Sequence, residues 1–410
     1  MNKLNSHNMQ LGVEATIFDK DGKIKEKRFI PTPNAAFDNT INLEIKNYEN
    51  KIIESQNIPF RSYTYNFAAH FIHGGLFQSS LPTGVTISGI SGSGGVGNPS
   101  VGRNQYDIDA ASGNRNYGIV VGTGSLPMSA SNTDLGGRCQ HGTGSNELYY
   151  NTTTFTGVAE SGSGWKTNAL RTFSNYGSES VFITEFGLIT TLNYGSGGFN
   201  YFVPCLIARE TRDITGSALN IEVPSSGTLT VNYSFEVNPE CGLNKNWIHF
   251  YNYDTQATNV MTNIRNIVSS SGAISYDQEI FQFDCDTTGS LKGIVCGSGS
   301  VAVTLDDFRI GLIQNGTTSG RLLYGNHASE SLAPRSAVTS SAQGSVRRTF
   351  TNSSGGSVDI NEVAIYGSDD TSYPITTTDC FMITRFLTAG ITVNDGESVE
   401  FRFVFAFTFQ

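Results

Sequence analysis

The sequence predicts a mainly β protein made of two tandem homologous β-sandwich domains, jelly-roll-like in order, each with one helix. Three observations lead there. The chain reads the same way twice: Gly118-Ile119-Val120-Val121-Gly122-Thr123-Gly124-Ser125 returns 175 positions on as Gly293-Ile294-Val295-Cys296-Gly297-Ser298-Gly299-Ser300. Arg171-Thr172-Phe173-Ser174-Asn175 returns as Arg348-Thr349-Phe350-Thr351-Asn352, and eight of nineteen positions are identical between Arg171–Ile189 and Arg348–Tyr366. Further landmarks keep the same order: Tyr106–Asp109 with Phe283–Asp286, Ile221–Val223 with Ile391–Val393, and Val231–Phe235 with Phe401–Phe405. A period near 175 is far too long for a solenoid unit and is the size of a whole domain. The second observation is length: 410 residues exceed what one core usually sustains. The third is pattern. Short alternating apolar segments are separated by turn residues, with 45 glycines among them, which is how sandwich strands read. The expected division is 1–240, with an insertion at 58–102, and 241–410.

Val13-Glu14-Ala15-Thr16-Ile17-Phe18 alternates, turns at Asp21-Gly22 and returns through Lys23–Ile30, which predicts a hairpin opening the first domain. Phe37, Ile41, Ile45, Tyr48 and Ile52 stand three to four apart, which predicts one amphipathic helix across Ala35–Ser55. Its counterpart is expected over Thr255–Val268, after a strand near Trp247–Tyr251. Thr83–Gly102, rich in Gly and Ser, reads as an exposed loop. Val181–Ile189 and Val358–Ile365 are equivalent strands with period-2 faces. Thr228–Val237 and Ser398–Phe409 close the two domains, and the latter carries Phe401, Phe403, Phe405, Phe407 and Phe409 on one face. Such a strand needs a covered edge, supplied by the chain or by a neighbouring subunit.

The glycine motif invites a nucleotide reading, but a dinucleotide site requires a third glycine and a following helix, and nothing close after Gly124 has helical period. Gly122, Gly124, Gly297 and Gly299 are therefore read as strand-end turns, with a positive φ expected at one of each pair. Asp107 and Asp109, like Asp284 and Asp286, could hold a cation, but without a calcium-loop register they read as caps of turns before Gly113 and Gly289. Arg171 with Glu185, and Arg348 with Glu362, are expected to pair across adjacent strands as structural ions. His70 and His73 alone among the six histidines have metal-like spacing, and no third ligand stands near. No nucleophile elbow is present. No catalytic, cofactor or metal residue is assigned, and the reading is non-enzymatic. Trp165, Trp247, Tyr149, Tyr150 and Tyr194 could stack on sugars; as readily, aromatics fill cores and interfaces.

Composition narrows the partners. A formal net charge of −10 disfavours nucleic acid, which a basic surface must neutralise. No apolar run suits a signal peptide or a membrane span. The six cysteines show no metal spacing and are expected as buried free thiols made in a reducing cytoplasm.

With these residues laid out, the chain resembles tailed-bacteriophage virion proteins of the crAss-like phage type. The resemblance rests on Leu11–Ala15 with Asp19–Lys23, on the Gly118–Gly124 turn, and on Arg348–Asn352 followed by Val358–Tyr366. It implies a structural particle component, located in the virion, without fixing its place there; the expectation is a tail or head-to-tail ring component, or a head- or tail-decorating fibre-like protein, made in the host bacterial cytoplasm. It carries over no catalytic residues. The expected partners are copies of the same chain and other virion proteins, with a segment at Ile58–Gly102 as first candidate for a subunit contact. A carbohydrate-binding adhesin that meets a host surface glycan is the alternative.

Overall fold

The computed structural model describes residues 8–30, 35–59, 86–88, 95–97, 100–108, 110–129, 131–161, 164–196, 199–213, 215–237, 293–303, 307, 309–331, 341–368 and 380–408. Among them the secondary structure is β, with no helix.

The largest sheet has 12 strands and draws on the whole chain. Its order runs Leu323–Ser331, Ser341–Thr351, Ser398–Thr408, Asn8–Phe18, Ala35–Lys46, Thr228–Val237, Gly164–Ser174, Glu147–Tyr150 and Gln140–His141. Two smaller sheets face it. One contains Gly118–Gly122, Glu185–Ser196, Phe199–Glu210 and Ser100–Asp107; the other contains Gly293–Gly297, Val358–Ser368 and Cys380–Val393. Side chains from the two layers meet: the Tyr150 hydroxyl donates to Val121 O, and the Phe386 and Phe403 rings lie 5.9 Å apart. The inward faces follow the two-residue period of a strand, so Val399, Phe401 and Phe403 are all buried.

The expected helix at Ala35–Ser55 is instead a hairpin, Ala35–Lys46 returning as Ile52–Pro59. Residues four apart share a face in a strand as well as on a helix, so Phe37, Ile41 and Ile45 fit both periods. Leu43 decides between them. It is buried beside Ile41 and Ile45, which only period 2 allows, whereas Tyr48 and Ile52 are exposed. The second expected helix, Thr255–Val268, and the strand near Trp247 lie outside the described residues. Thr83–Gly102 is also corrected in part: Thr86–Ser88 pairs with Gly95–Gly97, and Ser100 begins a strand against Glu185–Ser196.

The hairpin expected at Asp21-Gly22 forms as read. It and the Ala35–Pro59 hairpin are two versions of one device. In the first turn Asp19 Oδ1 accepts the N–H of Asp21 and Lys23, each at 2.9 Å, and Gly22 has φ 75°. In the second, Asn47 Oδ1 accepts Glu49 N–H at 3.0 Å and Lys51 N–H at 3.1 Å, and Asn50 has φ 61°. Asparagine replaces glycine there because its short polar side chain tolerates the left-handed region. Val13, Ala15 and Ile17 on one, and Ile41, Leu43 and Ile45 on the other, are buried at matching positions.

Each hairpin closes a different half of the large sheet. Phe37–Lys46 pairs with Thr228–Val237, and Met9–Phe18 pairs with Ser398–Phe407, in the same register. Among the described residues the first hairpin pairs with the second at Asn8↔Ala36 and Met9↔Ala35. So residues 8–30, expected to open the first domain, are paired within the sheet of the second segment. The same pairing changes the reading of the phenylalanine-rich last strand. It is flanked by Ser341–Thr351 on one side and Asn8–Phe18 on the other, so the chain itself covers both edges.

Candidate functional site

Two buried clusters recur in both halves, and they absorb the motifs that looked chemical. In the first, Gly118–Gly122 runs antiparallel to Glu185–Ile189. Glu185, fully buried, accepts N–H bonds from Gly124 at 3.1 Å and Gly137 at 2.7 Å on Oε1, and from Gly136 at 3.0 Å on Oε2. In the other half Glu362 accepts from Gly299 at 2.9 Å and Gly311 at 2.6 Å. A ring of backbone N–H groups is what an anion site offers; here an internal carboxylate occupies it.

The turn glycines are constrained by that carboxylate and not by φ. Gly122, Gly124, Gly297 and Gly299 have no positive φ; the left-handed glycines are the first of each motif, Gly118 at 79° and Gly293 at 70°. A Cβ at Gly122 would lie 2.5 Å from Glu185 Oε1, and one at Gly297 2.6 Å from Glu362 Oε1. Glycine is needed for close approach, so the expected positive φ gives way to a steric reason.

The carboxylates do not pair with the arginines that sequence suggested. Arg209 Nε donates to Glu185 Oε2 at 2.8 Å, and Arg385 Nε to Glu362 Oε2 at 2.6 Å. Arg209 also reaches Leu126 O, Pro127 O and Asn132 Oδ1. Arg385 reaches Val301 O and, at 2.6 Å, Asp307 Oδ2. Ile207 and Arg209 stand in the sequence as Ile383 and Arg385 do, within the same repeat spacing, so the partner was legible there and was missed.

Arg171 and Arg348 form the second cluster. Arg171 is fully buried and gives its five-donor fork to backbone oxygens: Asn151 O at 2.8 Å, Ile119 O at 2.9 Å, Tyr117 O at 3.2 Å, Ala111 O at 3.3 Å, and Asn114 O. Arg348 repeats this with Gly325 O at 2.8 Å and Ile294 O at 3.0 Å. Their guanidinium carbons lie over Tyr150 at 5.0 Å and Tyr324 at 4.7 Å. Burial pulls both arginines down to about 10. The clusters stitch a strand of one layer to loops and strands of the other.

Alkaline pH probes this interior. Cys139, Cys205 and Cys296 are buried free thiols, as expected for the cysteines; Cys241 and Cys285 lie outside the described residues. Burial pushes Cys139 and Cys296 up to about 12. Between pH 9 and 10 the unfolded chain releases thiol protons that the folded chain keeps, so stability falls as pH rises. About 1 kcal/mol per thiol is expected over that interval. Above pH 10 buried Tyr150 and Tyr324, held above the usual range by burial, add to the fall, while Arg171 and Arg348 oppose it because the folded state sheds their protons first. Urea midpoints at pH 9 and 10 should differ for the wild type and differ less for Cys139→Ala/Cys296→Ala. Equal pH dependence in the two proteins would contradict the assignment.

Of the aromatic candidates, Tyr150 is withdrawn from any surface role: it is fully buried and donates to Cys139 O at 3.0 Å. Trp165 pairs along the backbone with Val237, and Trp247 lies outside the described residues, as do Asp109, Asp284, Asp286, His70 and His73. Tyr149 does reach the surface. Its ring lies 4.7 Å from His141 and 5.7 Å from Tyr176, which is 59% exposed. His141 and Tyr176 were not singled out from sequence, since only the fold brings residues 141, 149 and 176 together. Around them, Ser112 Oγ donates to the Tyr149 hydroxyl at 3.2 Å, and Glu147 Oε2 accepts Gly144 N–H at 2.9 Å. Among the described residues no group of three or more His, Cys, Asp or Glu side chains could hold a metal ion. Comparison with known family models, curated proteins and solved structures finds no match to this chain.

Proposed function

We propose that the chain is a structural component of a phage virion, in the tail, a head-to-tail ring or a fibre, acting through protein–protein assembly and not through catalysis. The phage part of this reading rests on the resemblance of the repeated motifs. The observation that carries the structural part is the doubled interior: Glu185 with Arg209 and Arg171 with Tyr150 in one half, Glu362 with Arg385 and Arg348 with Tyr324 in the other. The buried charges that drew attention in the sequence are turned inward: Arg171 and Arg348 bond across the layers, and Glu185 and Glu362 fasten the glycine loops to their own sheet. The two halves are read as copies of one β-unit, each completed by its own N-terminal hairpin. Partners are further copies and other virion proteins, met in the particle after synthesis in the bacterial cytoplasm. Light scattering on the purified chain should show an oligomer of fixed mass, and mass spectrometry should find the chain in purified particles. A monodisperse monomer at high concentration that is absent from particles would overturn the reading.

A second reading, a carbohydrate-binding protein of the particle surface, is favoured by one observation, the ring pair of half-buried Tyr149 and exposed Tyr176.

A further inference from the structure

We infer that His141, Tyr149 and Tyr176 form a binding site for a neutral saccharide, a site built on the first half and absent from the second. The inference rests on the carbohydrate reading and gives it a location and a ligand class. It does not depend on how copies assemble.

The second half serves as an internal control. The Tyr150 N–H donates to His141 Nδ1 at 3.1 Å, and the Tyr324 N–H donates to Asn315 Oδ1 at 3.0 Å, so Asn315 does the backbone work of His141 without a ring. Tyr149 corresponds to Leu323, one residue before the shared tyrosine, and Tyr176, one residue after the shared Asn175, corresponds to Ser353. The scaffold therefore folds with an amide, an aliphatic and a hydroxyl at these positions. Three rings are not needed to build it, and a half-exposed tyrosine leaves apolar area in water that a solely structural role would not require.

The cluster is also closely packed from below. A Cβ at Gly177 would lie 2.9 Å from Gly144 O, and one at Gly113 would lie 3.3 Å from His141 Nε2, so the two loops and the ring bed are packed against each other. With Nδ1 accepting from Tyr150, the imidazole carries its proton on Nε2 when neutral. Rigid rings bearing hydroxyl and N–H groups suit a pyranose, whose apolar C–H face stacks while its hydroxyls bond at the rim. Glu147, two residues before Tyr149 on the same strand, places a carboxylate near the rings, which disfavours an anionic ligand. A few side chains are too small for a stable protein interface, which needs about 800 Å² per partner.

The test uses the full chain and a panel of the methyl glycosides of glucose, galactose, mannose and N-acetylglucosamine, followed by saturation-transfer NMR and titration. Transfer to the ring protons of at least one glycoside is expected. Tyr176→Ala and Tyr149→Ala should weaken its binding at least about tenfold, while Leu323→Ala, at the corresponding place in the other half, should leave it unchanged. Tyr149→Phe, which keeps the ring, should retain most of it and guards against a folding defect. Binding that survives both tyrosine-to-alanine changes would place the sugar elsewhere, sinking this site but not the carbohydrate reading. No binding by any glycoside would sink both. A mass in light scattering that drops with Tyr176→Ala would assign the rings to a protein contact and overturn the proposal.

Discussion

Glu185→Ala should destabilise the protein by about 3–5 kcal/mol, the usual consequence of leaving a buried charge without its partner. Arg209 and Glu185 are both essentially inaccessible to water, at 1% and 0% side-chain exposure. Removing the carboxylate strands the guanidinium and also orphans the N–H groups of Gly124, Gly136 and Gly137. Glu362→Ala should cost less, because Arg385 keeps a second carboxylate, Asp307, at 2.6 Å. In the first half the corresponding contact is neutral Asn132, at 2.9 Å from Arg209. It follows that Asn132→Asp should restore part of the stability lost in Glu185→Ala. As a reference, Glu49→Gln at the exposed pair with Lys51 should leave stability almost unchanged. Urea unfolding of these variants checks the order. Equal losses for Glu185→Ala and Glu362→Ala, or no rescue by Asn132→Asp, would contradict the assigned charges.

Removing residues 1–34 should unfold the second half and spare the first. The deletion strips Ser398–Phe407 of one flanking strand along its length and uncovers Phe401 and Phe403. It also takes away Val13, Ile17 and Ile30, each worth about 1.5–3 kcal/mol when fully buried. That loss is comparable to the total stability of a typical domain. The first half keeps its own hairpin, since Phe37–Lys46 remains against Thr228–Val237. Amide hydrogen exchange should show protection lost over Ser341–Thr351, Val358–Ser368 and Ser398–Thr408 and kept over Gly164–Ser174 and Thr228–Val237. Loss in both halves, or in the first alone, would contradict the assignment of this hairpin to the second half.

Much of this could be read from sequence because a strand writes its burial in a two-residue period. Val358–Ser368, Thr228–Val237, Ser398–Thr408 and the Asp21-Gly22 turn needed only local pattern and turn chemistry. The recurrence of Arg171, Glu185 and the glycines marked them as structurally important by position alone. Where two periods coincide, as at residues 37, 41 and 45, the local pattern cannot choose, and the burial of Leu43 in the folded chain made the choice. Partners are a property of distance in space. Glu185 took Arg209 from the adjacent strand and left Arg171 to backbone oxygens, because strand order sets which buried charges come within reach. The same holds for the first hairpin, whose partner lies at the other end of the chain. Sequence thus determined which residues repeat and which segments are strands wherever a single period stood alone, as it did not over Ala35–Lys46. Tertiary structure decided which strands adjoin, which charges meet, and that His141, Tyr149 and Tyr176 share one surface, because each of these depends on pairings that local sequence does not encode.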